Sequence, residues 1–350
     1  MASVANVRLA GLAAAVPPLS PTSWEETGIP NDRFSLSRSH ARPPTFRAAQ
    51  WEQCQSDFCQ RAAVDLLGAL GWAAADIDVV VLVTLTPDYP IPATAIILQD
   101  RIGIKKTALA FDLPGGEATF LQGLQLVASM LSAGHLKRGL LLCGGVSKLM
   151  EGPDHIEAVD HICGHNGSVC ALEHSPGAAP MFFAGGGDGA AHQSYYMPIG
   201  GTRRPPQPNM FSQEPATSAN VDPAMRYKMD LGAVAETALR ELPGCMRAVL
   251  AEAGQEPSGL DYCFLQPITM ATDDALRRDL GLPRDRFHSL THEFGLGSSG
   301  GIVLAMLARA SRALSSGRCT SLLAGIGAGF AWRSAVLNTE KVVCLEPIEM

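Results

Sequence analysis

Apolar residues in this chain recur in two arrangements. Short, nearly unbroken runs rich in β-branched residues alternate with longer segments whose apolar positions fall three and four apart. The short runs predict buried strands, and the longer segments predict amphipathic helices packed on them. Val4 to Val16 is the first strand-like run and ends at Pro17-Pro18. Asp57 to Gly71 has helical spacing, with Ser56 as its expected N-cap. DIDVVVLVTLT, from Asp76 to Thr86, reads as a buried strand, and a Pro-rich loop after it becomes a helix from about Ala93. Ala108 to Leu113 is a short strand, Ala118 to Ala133 a strongly apolar helix, and RGLLLCGGVS, from Arg138, the next strand. SVCALE and PMFFAGG are two further strand-like runs, and a long helix covers Asp230 to Gly254.

Between these elements lie two irregular regions. Residues 17 to 50 are rich in Pro, Ser, Arg and Thr, and predict surface chain with a short helix around Trp24 to Thr27. The Gly/Pro-rich stretch from 184 to 220 has the composition of loops around a site.

After Ser258 the early order returns. SGLDYCFLQP corresponds to AADIDVVVLVT, and LRRDLGLPRDRF to LQDRIGIKKTAL. GSSGGIVLAMLARASRAL corresponds to GGEATFLQGLQLVASML, and TSLLAGIGAG to GLLLCGGVS. Four elements recurring in the same order and spacing indicate an internal duplication. The pattern predicts two packed α/β halves with helices on both faces of each sheet, and a site between them. The expected division is an N-terminal half over 1–180, a loop-rich connection over 181–229 and a C-terminal half over 230–350.

Within the first half, FDLPGGEATFLQGL (Phe111 to Leu124) joins a strand to a helix through a glycine pair. A tight strand–turn–helix of this kind, here at 115–119, presents whatever stands at its tip. The helix start beneath it has unpaired N–H groups that favour negative charge. The residue at the tip is Glu117.

Composition narrows the function classes. With 350 residues, 47% hydrophobic and 17% charged, the chain can bury a large core. A net charge of -7 argues against a nucleic-acid partner, which needs clustered Lys and Arg. Nine cysteines, an odd number without CxxC or metal-type spacing, are read as reduced thiols of a cytoplasmic protein. No apolar segment has the length of a membrane span, and the N-terminus reads as a strand and loop rather than a signal peptide.

These residues resemble β-ketoacyl-acyl carrier protein synthase III, of the thiolase superfamily. The likeness rests on TPDYPIPATAIILQDRIG, the AFD–turn–FLQGL segment, GHNGSV at 164–169, YKMDLGAVAETALRELP and the closing GIGAGFAW. It runs from about Trp24 to Leu337. The resemblance implies a thiolase-like fold, with duplicated halves in a five-layered α-β-α-β-α core. It also implies acyl-CoA or acyl-carrier-protein thioesters as ligands, no cofactor, and a dimer, either of two copies or with an active ketosynthase.

Members of that family use a Cys, a His and an Asn for condensation. The resemblance places Glu117, Gln266 (in LQPIT) and Leu296 (in FGLGSSG) at those three positions. A carboxylate is a weaker nucleophile than a thiolate. Gln266 bonds hydrogen but cannot shuttle a proton near neutral pH, and Leu296 does neither. Ordinary condensation is therefore not expected. Gly116, Gly325, Gly327 and Gly329 are the expected turn and oxyanion glycines.

Three functions follow from this pattern. The first is a non-condensing, chain-length-factor-like subunit of a ketosynthase dimer in an acyl or polyketide-type pathway. The second is an acyltransferase or related thioester-processing enzyme centred on Glu117, as nucleophile or general base. The third is an acyl or carrier-protein binding module. Other candidates are His155, His161 and His165 around Cys163, read as turn-packing side chains, and His292 near the Asn position. Arg33 and Arg240, with Arg38, Arg42, Arg47, Arg203 and Arg204, are candidate contacts to coenzyme A phosphates or an acidic carrier surface.

Overall fold

The structure is a computed structural model and describes residues 1–19, 47, 49–50, 52–147, 164–207, 227–266, 268–289 and 298–350, with Met270 described in its backbone alone. The chain opens with β1 (Ala2–Val4) and β2 (Val7–Val16), followed by α1 (Gln55–Leu70) and β3 (Val79–Thr84). Next come α2 (Thr94–Ile102), β4 (Leu109–Pro114), α3 (Glu117–Ser132), β5 (Arg138–Gly145) and β6 (Asn166–His174). The second half contains β7 (Met181–Gly187), the small pair β8 (Tyr195–Tyr196) and β9 (Lys228–Met229), and α4 (Leu231–Glu252). It continues through β10 (Tyr262–Leu265), α5 (Met270–Asp279), β11 (Phe287–His288), α6 (Gly301–Ser316), β12 (Arg318–Gly327) and β13 (Ala331–Glu340). Two short strands, β14 (Val343–Cys344) and β15 (Ile348–Glu349), close the chain.

The duplication is visible in the strand order. One sheet runs β14-β2-β6-β5-β3-β4 and the other β1-β7-β13-β12-β10-β11. From β2 and from β7 outward, each sheet has two antiparallel neighbour pairs and then two parallel ones. The parallel strands are linked by helices, as crossover connections require. The expected correspondences hold: β3 with β10, α2–β4 with α5–β11, α3 with α6, and β5 with β12.

Alternation along the strands explains the unbroken apolar runs. Val79, Val81 and Val83 face a central layer with Phe120, Leu121 and Leu124 of α3 and Ile302 to Leu307 of α6. Val80 and Leu82 face Phe58, Ala62 and Leu66 of α1. Leu322 and Ala324 of β12 face the opposite way from Leu323, toward Leu242 and Met246 of α4. Each central strand is thus covered on both sides, and the layers run α-β-α-β-α. No helix of the described residues is long and apolar enough to cross a membrane.

Three local expectations are corrected. The run from Val4 to Val16 is two strands in different sheets, broken at Asn6, whose φ of 62° turns the chain; Asn tolerates that conformation. Helix α1 starts one residue before Ser56. Cys54 is its N-cap, its N–H donates to Asp57 Oδ2 at 2.7 Å, and buried Ser56 accepts from Arg101. The ten-residue strand β13 lies in sequence that carried no strand expectation. The helix expected near Trp24 lies outside the described residues.

Candidate functional site

Parallel strands of both halves end at one place. β4 ends at Pro114, and Gly115-Gly116 turn the chain directly into α3, whose first residue is Glu117. Gly115 N–H donates to Thr84 O at the end of β3 at 3.0 Å, which holds the turn against the sheet. Gln266 follows β10, and its N–H donates to Ala324 O of β12 at 2.9 Å. A Cβ at Gly325 would stand 3.3 Å from Gln266 Cβ and 3.7 Å from the Glu117 carbonyl. Glu117, Gln266 and the end of β12 therefore meet.

Gly327 suits this approach. A Cβ there would lie 3.1 Å from both the Glu117 nitrogen and Glu117 Oε2, so a side chain would push the β12 backbone and the helix start apart by a few tenths of an ångström. Gly329, at φ 139° in the turn to β13, adopts a conformation open to glycine.

Glu117 is 8% exposed, and its Oε2 has no hydrogen-bond partner. Burial pushes its carboxyl up to about 7, although its own backbone N–H pulls the other way. Gln266 is 1% exposed, and neither Oε1 nor Nε2 has a partner. Its amide abuts the start of α6, where a Cβ at Gly301 would come within 2.6 Å of Oε1. Two buried polar side chains with free ends, meeting where both halves join, are costly as pure structure.

A narrow cavity of about 20 Å³ opens beside Glu117, lined also by Leu85, Ser147, His165, Tyr227 and Ser298. A larger cavity of about 470 Å³ shares Leu85, Ser147 and Tyr227 with it and adds Pro87, Pro90, Val146 and Met197. The outer cavity is largely apolar apart from Gln53, Cys54, Gln55, Thr86 and Asp88.

His165 lines the inner cavity and also packs its turn. Its Nδ1 accepts Ala49 N–H at 2.8 Å, and its Nε2 faces Ser147 N–H at 3.2 Å. That agrees with a turn-packing histidine, though its place beside Glu117 was not legible in the sequence. Tyr227, whose hydroxyl donates to Leu85 O, and Ser298 are lining residues that sequence reasoning passed over. Tyr227 opens the YKMDLGAVAETALRELP segment and Ser298 stands in FGLGSSG, but their residue types gave neither a role there.

Two of the arginine candidates are engaged elsewhere. Arg47 is buried, with its guanidinium donating to Pro17 O at 2.6 Å and to Glu349 Oε1 at 2.8 Å. It anchors the C-terminus, and its expected role toward a phosphate is corrected. Arg240 is exposed and pairs with Glu241 at 2.9 Å. Arg203 and Arg204 are also exposed. Leu296, Arg33, Arg38, Arg42, His155, His161, Cys163 and His292 lie outside the described residues. Of the described cysteines, none lines the inner cavity, and six of the eight are buried. Burial pushes the thiols of Cys59 and Cys263 up to about 12. Among the described residues no cluster of His, Cys, Asp and Glu is placed to hold a metal ion.

Similarity to known proteins agrees with this architecture. Residues 250–339 match the family described as 3-oxoacyl-[acyl-carrier-protein] synthase III C terminal. A β-ketoacyl-[acyl-carrier-protein] synthase III of Desulfitobacterium hafniense is 27% identical over 96% of this chain and 98% of that protein. The crystal structure of a 3-oxoacyl-(acyl-carrier protein) synthase from Burkholderia xenovorans superposes with a TM-score of 0.89 at 25% identity, covering 100% of this chain and 98% of the other. The chain has the thiolase-like fold and is similar to ketosynthase III proteins over nearly its whole length. The same fold is found in the priming β-ketosynthase of the R1128 polyketide biosynthetic pathway, with a TM-score of 0.80, 19% identity and 97% of each chain covered. In this chain the strand-to-helix elbow carries a carboxyl group.

Proposed function

We propose that this protein binds acyl thioesters of coenzyme A or an acyl carrier protein without condensing them, as the non-condensing subunit of a ketosynthase dimer in an acyl or polyketide-type pathway. The observation that carries the reading is the elbow itself. A buried carboxyl stands at the start of α3, Gln266 stands beside it, and no described thiol lines the inner cavity. Claisen condensation through an acyl-enzyme needs a nucleophile with a good leaving tendency and a group that moves protons. A glutamine amide supplies neither.

Dimerisation is supported by one sheet edge. β4 pairs with β3 alone among the described strands, so its outer edge is open, and Leu109 on it is 47% exposed. The adjoining loop and α2 add exposed Tyr89, Ile91 and Ile96. An open apolar edge of this kind calls for a partner.

The test is intact-mass spectrometry of the purified chain after incubation with acyl-CoA, together with a product assay after adding a malonyl thioester. No covalent adduct and no β-ketoacyl product are expected. A stable acyl adduct on the isolated chain would overturn the reading. A thioester-processing role for Glu117 is favoured by one further observation, that this residue lines a cavity while its Oε2 has no hydrogen-bond partner.

A further inference from the structure

The inner cavity and the free carboxylate oxygen invite a specific chemistry. About 20 Å³ is room for one water molecule and too little for an acyl chain. A water there has polar neighbours in Glu117, Ser147 and Ser298. Glu117 lines the cavity and keeps 8% of its surface exposed, so its carboxylate can accept a proton from such a water, while its Oε2 is sealed against Gly327 without a hydrogen-bond partner. His165 is not available for that task, since a neutral imidazole has one acceptor nitrogen and Nδ1 is taken by the Ala49 N–H at 2.8 Å. The outer cavity of about 470 Å³, with Leu85, Pro87, Pro90, Val146, Met197 and Tyr227, is the apolar volume next door.

We propose that this site hydrolyses acyl thioesters, with Glu117 as the general base that activates a water held in the inner cavity and the acyl chain lying in the outer one. The proposal rests on the acyl-thioester-binding reading above. In the step, a water O–H bond breaks and its proton passes to the Glu117 carboxylate. The water oxygen forms a bond to the thioester carbonyl carbon, and negative charge develops on the carbonyl oxygen near the start of α3, where helix N–H groups favour it. The tetrahedral species collapses, the C–S bond breaks, and the departing thiolate takes the proton back from Glu117. The products are a carboxylic acid and a free thiol. No redox partner or second substrate is needed.

The raised proton affinity of Glu117 suits this role. A carboxyl pushed up to about 7 is a far better base than an exposed glutamate and is still half ionised at neutral pH. Gly327 supports the same geometry, because a side chain there would crowd both the nitrogen and Oε2 of Glu117.

The experiment measures thiol release from octanoyl-CoA by the full chain, alongside calorimetric binding of the non-hydrolysable thioether octyl-CoA. Slow turnover is expected, rising with pH to a plateau above about 7. Glu117→Gln is expected to lower kcat about 100-fold or more while octyl-CoA still binds. Glu117→Asp keeps a base at the site and is expected to restore part of the rate with the same shape of pH profile. Thiol release within about threefold of wild type in Glu117→Gln overturns the proposal, as does octyl-CoA binding without any thiol release. A hydroxamate at position 117 after hydroxylamine trapping also overturns it, because it reveals a covalent anhydride instead of an activated water. Failure of octyl-CoA to bind overturns the thioester-binding reading itself, and this inference with it.

Discussion

Replacing Glu117 with Gln removes one proton site from the folded protein and nearly preserves its shape. The wild-type carboxyl is pushed from 4.5 to about 7 by burial. Between those two values the folded protein keeps a proton that the unfolded chain releases. Stability contributed by the protonated group is therefore full below pH 4.5, falls as pH rises to about 7, and is lost above that. A shift of this size corresponds to about 3 kcal/mol. Over the practical window from about pH 5 to about pH 8 the loss is about 2.5 kcal/mol. The glutamine variant carries no such dependence. Asp273 is raised by burial too, from 3.8 to about 7, so the wild-type curve alone mixes two groups. Subtracting the variant cancels Asp273 and leaves Glu117. The assay is urea unfolding of both proteins at those two pH values, followed by circular dichroism and fluorescence together. Glu117→Gln is expected to gain about 2.5 kcal/mol on wild type between them. A difference that stays flat to within about 0.5 kcal/mol would show that Glu117 is solvated or partnered in solution, and the reasoning from its burial would fail.

Further outcomes follow from the same geometry. Glu117→Cys places a thiol at the start of α3 and is expected to gain an acyl adduct at position 117 from acyl-CoA, seen as intact mass. It is still expected to yield no β-ketoacyl product from a malonyl thioester, because Gln266 moves no proton. Gly327→Ala puts a Cβ 3.1 Å from the Glu117 nitrogen and is expected to cost about 1–3 kcal/mol in urea unfolding, the range for overpacking a tight site. Leu109→Asp on the open edge of β4 is expected to shift a dimer toward monomer in sedimentation, leaving the circular dichroism spectrum unchanged. Among the eight described cysteines, iodoacetamide is expected to modify half-buried Cys54 and Cys344 before any of the six buried ones, read by peptide mapping.

Local chemistry misled the reading where two residues competed for one role. Ser56 is a better intrinsic N-cap than Cys54, yet Ser56 is drawn inside the first turn, where its hydroxyl accepts from Arg101, and Asp57 closes the turn from below. Arg47 shows the reverse error. Among a run of arginines it looked like one more surface cation, but the path of the chain brings Pro17 and Glu349 to it and buries it. Nothing within a few residues of Arg47 carries that information.

What the sequence determined by itself was the repeating unit. Short β-branched runs apolar on both faces can only be central strands covered by helices, and four such elements recurring in order require two like halves. The glycine turn before Glu117 and the glycines at the end of β12 and just beyond it were legible for the same reason, since their roles are set by local backbone geometry. Only the tertiary structure decided which of these features meet. Glu117, Gln266 and Gly327 lie in three segments far apart in the chain, and they converge because parallel strands of both halves end at one level. The size of the cavity beside Glu117, the hydrogen bond from Ala49 N–H that takes Nδ1 of His165, and the burial that raises the proton affinity of the carboxyl are properties of that convergence. They depend on which atoms exclude water from Glu117, and those atoms come from across the whole chain.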